Sequence, residues 1–311
     1  MKYSLNQLYQ VIGLSKQAVS QYLLRQDKFE KYLSNLLIEV DELRAEHPGC
    51  GLEKMYYTLA PSFLGRDRFI AVLNQMGYGV VKVKNFIKTT KPVHSSYENL
   101  IEGMSVTGIN QVLQSDITYY YAGSRFYYIV FIIDVYSKRI VGFQASDHMR
   151  AEANVTALQQ TIKLRGKTNL SDTIHHSDRG SQYIAKRYRN LLEKHHINIS
   201  MGYNAMENAY AERINGIIKN EYLKYKEITD LASLKKQLQK AVKHYNHKRI
   251  HNHLPNRMTP VNFEKAMDNN TLSKTHLELI YAEQNNMKRN KLKHFLPFMD
   301  IQKNQLCPIV Y

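Results

Sequence analysis

The sequence has little cysteine and no long apolar stretch. Cys50 and Cys307 are its two cysteines, too few for a disulfide framework or for a zinc site made of four cysteines, so both are expected to be ordinary thiols. The absence of a run of about eighteen apolar residues excludes the usual membrane-spanning helix. The first residues lack the basic head and apolar stretch of a secretory signal, so we expect a cytoplasmic location and no membrane partner.

Acidic residues are also scarce relative to basic ones. The 311 residues contain 43 Lys and Arg against 27 Asp and Glu, a formal net charge of +16. Such an excess favours a polyanionic partner, because each neutralised phosphate releases condensed counterions. The same excess also fits a basic protein that is merely soluble, so the motifs must decide. The length allows two domains, or one domain with a large appendage.

The N-terminal residues have a helix-turn-helix pattern. Residues 5–12 have helical apolar spacing that stops at Gly13, and Ser15 can cap a second helix. That helix would expose side chains of the types that contact phosphates and base edges in the major groove. A plain helical hairpin accounts for this short pattern equally well. The candidate DNA-binding residues are Lys16, Gln17, Ser20, Gln21 and Arg25.

A helical pattern continues well beyond this motif. It runs to His47, is broken by Pro48, and resumes over residues 51–88. We therefore interpret residues 1–92 as an all-helical, DNA-binding region that ends in a linker.

From Val112 the pattern changes to that of strands. A strand meander comes first and is followed by alternating helix and strand, which indicates an α/β domain with a mixed sheet flanked by helices. We place this domain at residues 105–265. The predicted strands are 112–121, 126–135, 139–145, 173–177 and 198–201, and the predicted helices are 151–163 and 185–196.

Three acidic residues lie in or directly after these elements. Asp116 lies in the first strand, Asp178 directly follows the fourth, and Glu212 lies on a predicted helix that begins near Glu207. Strand, strand end and helix can meet at one edge of a sheet. Phosphoryl transfer to or from DNA needs charge neutralisation on the attacking and leaving oxygens, which two Mg²⁺ ions bridged by carboxylates can provide. The three residues are therefore candidate metal ligands.

A specific pattern surrounds these carboxylates and covers residues 45–265. It comprises Asp116-Ile117-Thr118-Tyr119, His176-Ser177-Asp178-Arg179-Gly180-Ser181-Gln182-Tyr183, Glu207-Asn208-Ala209, Ala211-Glu212-Arg213 and Ile218-Lys219-Asn220-Glu221, with outlying matches at residues 47–51, 134–142, 245–246 and 258–260. The pattern resembles the retroviral-integrase-type core of bacterial insertion-sequence transposases, in particular the OrfB-type proteins of two-frame elements.

This resemblance implies an RNase H-like core in which Asp116, Asp178 and Glu212 are the catalytic, metal-binding (DDE) triad for two Mg²⁺ or Mn²⁺ ions. It implies cleavage that frees a 3′-OH at an element end, followed by attack of that hydroxyl on a second phosphodiester, usually by way of a circular intermediate. The implied partners are double-stranded DNA of the element ends and target, further copies of the chain on that DNA, and a protein from an upstream frame. A nucleoid-associated location in a bacterium follows.

The sequence departs from the family pattern in three ways. Leu113 stands where the family usually has Trp, three residues before the first Asp, and the chain contains no Trp. Thirty-three residues separate Asp178 from Glu212, where the family commonly has thirty-five, which a shorter loop near Gly202 would explain. Glu207 replaces the more common Asp. We keep Glu212 as the third ligand, because Glu207 lies more than one helical turn earlier and should point elsewhere.

Three neighbouring residues have two interpretations each. Asp134 fits an anchor of the following turn better than a fourth ligand. Glu207 fits a residue in the first turn of the predicted helix that carries Glu212, where it complements the helix dipole, better than a ligand. His176 fits a structural histidine at least as well as one that orients Asp178 or a phosphate.

Other repeated residue types carry less weight. His244, His247 and His251 recur at helical spacing, but without nearby Cys or acidic partners we expect polar, phosphate-facing side chains and no zinc. The tyrosines at 119, 120, 121, 127 and 128 fit half-buried strands rather than a covalent nucleophile.

Basic residues are concentrated after the third carboxylate. Residues 213–251 contain ten Lys or Arg and three acidic residues, so we expect them to position the DNA backbone. Residues 266–311 form a basic, polar tail without a clear fold signal. A DNA-binding regulator with an inactive core, and a nuclease without joining activity, remain as alternative functions. The candidate backbone-contacting residues are Arg213, Lys219, Lys235, Lys236 and Lys243.

Overall fold

The computed structural model describes residues 4–80, 97–166, 170–202, 205–269 and 279–280, which divide into two units. The first unit contains residues 4–80 and the short segment Asn220–Tyr225, and the second contains the other described residues. None of the described helices is both long and apolar enough to cross a membrane. The expected linker at the end of the N-terminal region, Cys307 and nearly all of the tail after residue 269 lie outside the described residues.

The first unit begins with the two helices that the sequence predicts. Ser4 and Ser15 each accept a hydrogen bond from a backbone amide in the first turn of the helix that follows, which fixes where both helices start. The predicted second helix and the long pattern after it are one continuous helix of 31 residues. The helices are α1 (Leu5–Val11), α2 (Lys16–Glu46), α3 (Leu52–Leu59) and α4 (Arg66–Gln75).

The core of the first unit lies at one end of α2. Leu36 and Val40 of α2 pack in a cluster with Met55 of α3 and with Phe69 and Leu73 of α4. The buried free thiol of Cys50 belongs to the same cluster. Since the earlier turns of α2 contribute no buried residue, their stability depends mainly on the local cap and on helix propensity.

Two segments of the sequence pattern meet within this first unit. His47 Nε2 lies 2.7 Å from Glu221 Oε2, and the His47 ring stacks on Tyr222 with centroids 4.6 Å apart. The Gly49 amide donates to the Glu221 carbonyl oxygen over 2.8 Å. A Cβ at position 49 would lie 2.5 Å from the Glu221 Cα, so this backbone approach requires glycine.

The second unit is an α/β structure. The predicted strands, and the predicted helices at 151–163 and 185–196, are found within a few residues of their expected bounds, and a further short helix precedes the second of these helices. The strands are β1 (Ser105–Val106), β2 (Val112–Ala122), β3 (Arg125–Asp134), β4 (Ile140–Ser146), β5 (Ile174–Ser177), β6 (Asn198–Met201) and β7 (Leu279–Ile280), and the helices are α5 (Ala151–Arg165), α6 (Ser181–Ile184), α7 (Lys186–Lys194), α8 (Ala209–Ile217), α9 (Leu231–His247) and α10 (Pro260–Asp268).

The main sheet of the second unit has five strands in the order β4-β3-β2-β5-β6. The pairs β2–β3 and β3–β4 are antiparallel, and the pairs β2–β5 and β5–β6 are parallel. This is the mixed sheet of an RNase H-like fold, with a meander on one side of β2 and crossover connections on the other. The fold that the resemblance implies is therefore confirmed.

The meander follows from local sequence signals. Gly123 and Ser124 both have positive φ, 54° and 63°, which is the requirement of the two-residue turn that matches strand twist. The tyrosines at 119 and 128 face each other across β2 and β3, as do those at 120 and 127, so the expected strand role of the tyrosines is confirmed. Leu113, at the position of the missing Trp, is fully buried in the core of the sheet.

A network of buried charges closes the other end of β3. Asp134 is fully buried and accepts hydrogen bonds from the amides of Asn110 (2.7 Å) and Ser137 (2.8 Å). Arg165 of α5 joins Asp134 to Glu264 of α10, and Arg139 also contacts Glu264. Asp134 is therefore an anchor of the turn after β3, as the sequence predicts. The sequence did not predict α10, which supplies Glu264, the carboxylate that contacts both arginines.

Candidate active site

Asp116 and Asp178 lie next to each other, each directly after the residues through which β2 and β5 pair in parallel. The register of β2 against β5 runs from Val112 opposite Ile174 to Ser115 opposite Ser177. Asp116 directly follows Ser115, and Asp178 directly follows Ser177, so the two acidic residues occupy neighbouring positions. Polar groups at the carboxyl ends of neighbouring parallel strands form the usual ligand site of such sheets.

Glu212 reaches the same region from α8. It lies in the first turn of that helix and is more exposed than Asp116 or Asp178, and α8 packs on β2 and β3. Its charge acts on Asp116, and that of Asp178 acts on both. The three predicted carboxylates thus lie within the range of one another's charges.

The charges of these three residues oppose one another. Burial, followed by the charges of Asp178 and Glu212, raises the pKa of Asp116 to about 8, while the Ile117 amide and Lys219 act in the opposite direction. Burial raises the pKa of Asp178, although the Gly180 amide donates to its Oδ1 over 3.1 Å. Burial and the Asp178 charge raise the pKa of Glu212. Without a compensating cation, the fully ionised triad is disfavoured.

The donor set fits a hard divalent cation. Its groups are carboxylate oxygens whose ionised forms a bound cation would stabilise. In the part of the chain that the structure describes, no three His, Cys, Asp or Glu side chains converge as a preformed metal-binding group.

Amide side chains of β2 and α8 line this site. The Nδ2 of Asn215 donates to Asp116 Oδ2 over 2.6 Å. The side chain of Gln114, two residues before Asp116, contacts backbone groups at the start of α8, and Asn208 donates back to β2. Sequence reasoning missed these amides. Their spacing was a usable signal. Gln114 lies two residues before Asp116, which puts both on one face of the strand, and Asn215 lies three residues after Glu212, which puts both on one face of the helix.

The rival residues near the site have structural roles. Glu207 is buried in a 3₁₀ turn, Ala205–Asn208, before α8 begins, and its Oε2 accepts from Asn99 over 3.1 Å. The expectation that it lies in the first turn of the helix is therefore wrong. His176 Nδ1 lies 2.8 Å from Ser200 Oγ, and burial lowers the pKa of His176 to about 4, so its ring is neutral near pH 7. Both observations favour the structural interpretation.

Most of the expected DNA-binding side chains are exposed. Those of α2, the guanidinium of Arg213, and Lys235, Lys236 and Lys243 of α9 face solvent. Lys219 differs, because its ammonium donates inward to Thr118 Oγ1 over 2.7 Å. His247 is exposed, but His244 and His251 are buried. The expectation that His244 and His251 face phosphates is wrong, because the faces of α9 and of the loop after it that carry them are part of the interior.

Family models match the second unit. Two models, each described as an integrase core domain, match residues 107–204 and 194–260. These residues contain β2 to β6, α8 and α9, together with the three carboxylates. The chain therefore has an integrase core domain.

Several similar sequences are proteins of insertion-sequence elements. A putative transposase for element IS986/IS6110 of Mycobacterium tuberculosis is 32% identical over 163 residues, covering 50% of this chain and 58% of the relative. A 31 kDa protein of insertion element IS600 from Shigella sonnei is 28% identical over 267 residues, covering 82% of this chain and 97% of the relative. A putative transposase for IS150 of Escherichia coli is 27% identical over 187 residues, covering 59% of this chain and 65% of the relative.

Among solved structures, the magnesium complex of the HTLV-2 integrase catalytic core is 21% identical, with a TM-score of 0.41, covering 53% of this chain and 99% of that one. The chain spans somewhat more than half the length of the IS986/IS6110 relative. Together, the family models and the relatives show that the chain contains an integrase core domain and is similar to proteins of insertion-sequence elements, putative transposases among them.

Proposed function

We propose that this chain is a DNA transposase that cleaves DNA at the ends of an insertion sequence and joins the freed ends to new DNA. The observation that carries the proposal is the position of Asp116 and Asp178 directly after the parallel-paired residues of β2 and β5, with Glu212 near enough for its charge to act on Asp116. Phosphodiester chemistry on DNA needs such a cluster of hard oxygen ligands more than it needs a protein nucleophile.

In this proposal Asp116, Asp178 and Glu212 hold two divalent ions, Mg²⁺ or Mn²⁺, which would neutralise charge on the attacking and leaving oxygens. Asp116 and Asp178 extend from strands of the central sheet, so their carboxylates are held by rigid backbone. Glu212 is more exposed and approaches from α8. The same residues would serve water attack at an element end and the later attack of the freed 3′-OH, since both reactions replace one oxygen at phosphorus.

Strand-transfer assays of the full chain test the activity. With a labelled element end and Mg²⁺ or Mn²⁺, we expect cleaved and joined products. Asp116→Asn, Asp178→Asn and Glu212→Gln should bind DNA yet give neither product. Cleavage without joining would instead identify a nuclease, and DNA binding without any chemistry would identify a regulator with an inactive core.

The third ligand has a matched control in Glu207. This glutamate is close in sequence to Glu212 but is buried and bonded to Asn99. Glu207→Gln should therefore keep strand-transfer activity wherever the variant folds. Activity in Glu212→Gln combined with inactivity in a folded Glu207→Gln would overturn the assignment.

The DNA contacts belong to the same proposal. We assign DNA binding to residues 1–92, catalysis to residues 105–265, and an accessory basic role to the tail at 266–311. More than one copy of the chain would act on the DNA, because an element has two ends. The side chains proposed to contact DNA are Lys16, Gln17, Ser20, Gln21, Arg25, Arg213, Lys219, Lys235, Lys236 and Lys243.

The salt dependence of DNA binding tests these contacts. Removing one phosphate-contacting lysine should weaken binding to all sequences and lower the slope of log K against log salt by about 1. Lys236→Ala and Lys243→Ala are the clearest variants, because both side chains are exposed on α9. Lys194→Ala on α7, also exposed, is the control. Equal slopes in all three variants and the original chain would contradict the assignment of α9.

A further inference from the structure

Helix α8 has no side-chain cap of its own. Its N-cap residue, Asn208, makes no capping hydrogen bond to the first turn. The acceptor comes instead from Gln114 of β2, whose Oε1 accepts from the amides of Tyr210 (3.1 Å) and Ala211 (3.3 Å). These are the second and third residues of the helix, whose amides an N-cap side chain normally satisfies.

Two further amide contacts connect the start of α8 to the same strand. Gln114 Nε2 donates to the Glu207 carbonyl oxygen over 3.0 Å. Asn208 Nδ2 donates to the Ser115 carbonyl oxygen over 2.8 Å. Each amide thus bonds to backbone of the other element, so rotation or sliding of the helix start against β2 would break several hydrogen bonds together.

A third amide holds the other end of α8. Asn215, one turn beyond Glu212, donates to Asp116 Oδ2 over 2.6 Å. Gln114, Asn208 and Asn215 are all at least nine-tenths buried. Within the described residues, Oδ1 of Asn215 has no hydrogen-bond partner, so its contact with Asp116 accounts for the orientation of this buried amide.

We infer that Gln114, Asn208 and Asn215 are positioning residues that hold Glu212 against Asp116 for metal binding. The contacts lie before and after Glu212 along α8, and on β2 they involve Asp116 and the two residues before it. They fix the one carboxylate that comes from a helix relative to one that comes from the sheet. This inference rests on the proposed function, because it gives these amides a role in the proposed metal site.

Metal titration of the full chain without DNA tests the inference. Mn²⁺ binding, followed by electron paramagnetic resonance, should be about 10-fold to 100-fold weaker in Gln114→Leu and Asn215→Leu than in the original chain, the range found when partners of metal ligands are removed. Asn208→Asp keeps the side-chain shape but loses the donor, so it should fold and show a smaller loss.

Asn246→Leu is the matched control. Asn246 is also a buried amide that joins a helix to a strand, with bonds of 3.0 and 2.8 Å to the backbone of Ile140, but it acts on β4. Its loss should lower the melting temperature as the site variants do and leave Mn²⁺ affinity within about twofold, as expected for a contact outside the ligand shell.

Activity separates positioning from catalysis. In the Asn215→Leu and Gln114→Leu variants, the Mg²⁺ concentration for half-maximal strand transfer should rise, and kcat at saturating Mg²⁺ should largely recover. Asp116→Asn should not recover at any Mg²⁺ concentration. Unchanged Mn²⁺ affinity in folded Asn215→Leu, Gln114→Leu and Asn208→Asp would overturn the positioning role alone. Failure of the original chain to bind Mn²⁺ would overturn the proposed metal site itself.

Discussion

Helices α2 and α8 both carry proposed functional side chains, but they are held in different ways. The first turns of α2 are exposed, and their start depends on one local cap, Ser15. Helix α8 has no cap of its own and is fixed to β2 through buried amides at both ends. A helix that contacts the outside of a polyanion needs an exposed face, whereas a helix that supplies a metal ligand needs a fixed position relative to other ligands.

The largest expected effect is on catalysis in the second unit. Asp116→Asn should lower strand transfer on the order of a thousandfold or more, because it removes a charged ligand from the developing charge of the transition state. DNA binding, measured by gel shift, should stay near that of the original chain. An active Asp116→Asn variant would contradict the proposal that Asp116 of β2 and Glu212 of α8 together bind the catalytic metal ions.

Breaking the buried charge network of the second unit should strongly lower its stability. Glu264 contacts Arg139 and Arg165, and these bonds and charges lower its pKa despite burial. Glu264→Gln should therefore cost about 3–5 kcal/mol of unfolding free energy, since it leaves buried guanidinium charge uncompensated. Urea unfolding measures this loss. Asp67→Asn in the first unit, which breaks an exposed ion pair with Arg66, should have no measurable effect.

The stability of the second unit should depend on pH through Lys138. Burial lowers its pKa from 10.5 to about 7, and its Nζ lies 4.1 Å from the centroid of the Tyr210 ring. Between those values the unfolded chain binds a proton that the folded chain releases, so stability rises with pH by up to about 1.4 kcal/mol per unit.

The comparison of Lys138→Met with the original chain isolates this contribution. The original chain should gain stability relative to the variant as pH rises from 7 to 9. A stability difference that stays constant over that range, measured by urea unfolding, would show that Lys138 stays charged in the folded protein.

The smallest expected effect is at the start of α2. Ser15 Oγ accepts from the Ala18 amide over 3.0 Å, so Ser15→Ala should cost about 1 kcal/mol. The loss should appear as fraying of the first turns in circular dichroism, with Mn²⁺ affinity unchanged. Ser34→Ala, in the middle of the same helix, should keep helicity, because Ser34 Oγ donates back to Glu30 and is not a cap. Equal fraying in both variants would contradict the conclusion that the start of α2 depends on the Ser15 cap.

Much of the fold was predictable because its signals are local. Apolar alternation and the turn at Gly123 gave the meander, and Ser15 gave the start of α2. The three carboxylates were also proposed from the sequence, because they lie within a recognisable pattern. The continuous length of α2, the short helix α6 and α10 were not predicted, because packing rather than local propensity decides where such elements continue or end.

The sequence by itself determined the order of strands and helices and the position of each carboxylate within its element, since hydrophobic period and turn residues act over a few residues. Only the tertiary structure decided which side chains hold those carboxylates. Gln114 and Tyr210 are 96 residues apart, and Asn215 and Asp116 are 99 apart. Hydrogen bonds between such distant groups form only when the sheet and α8 have packed, so no local pattern records them.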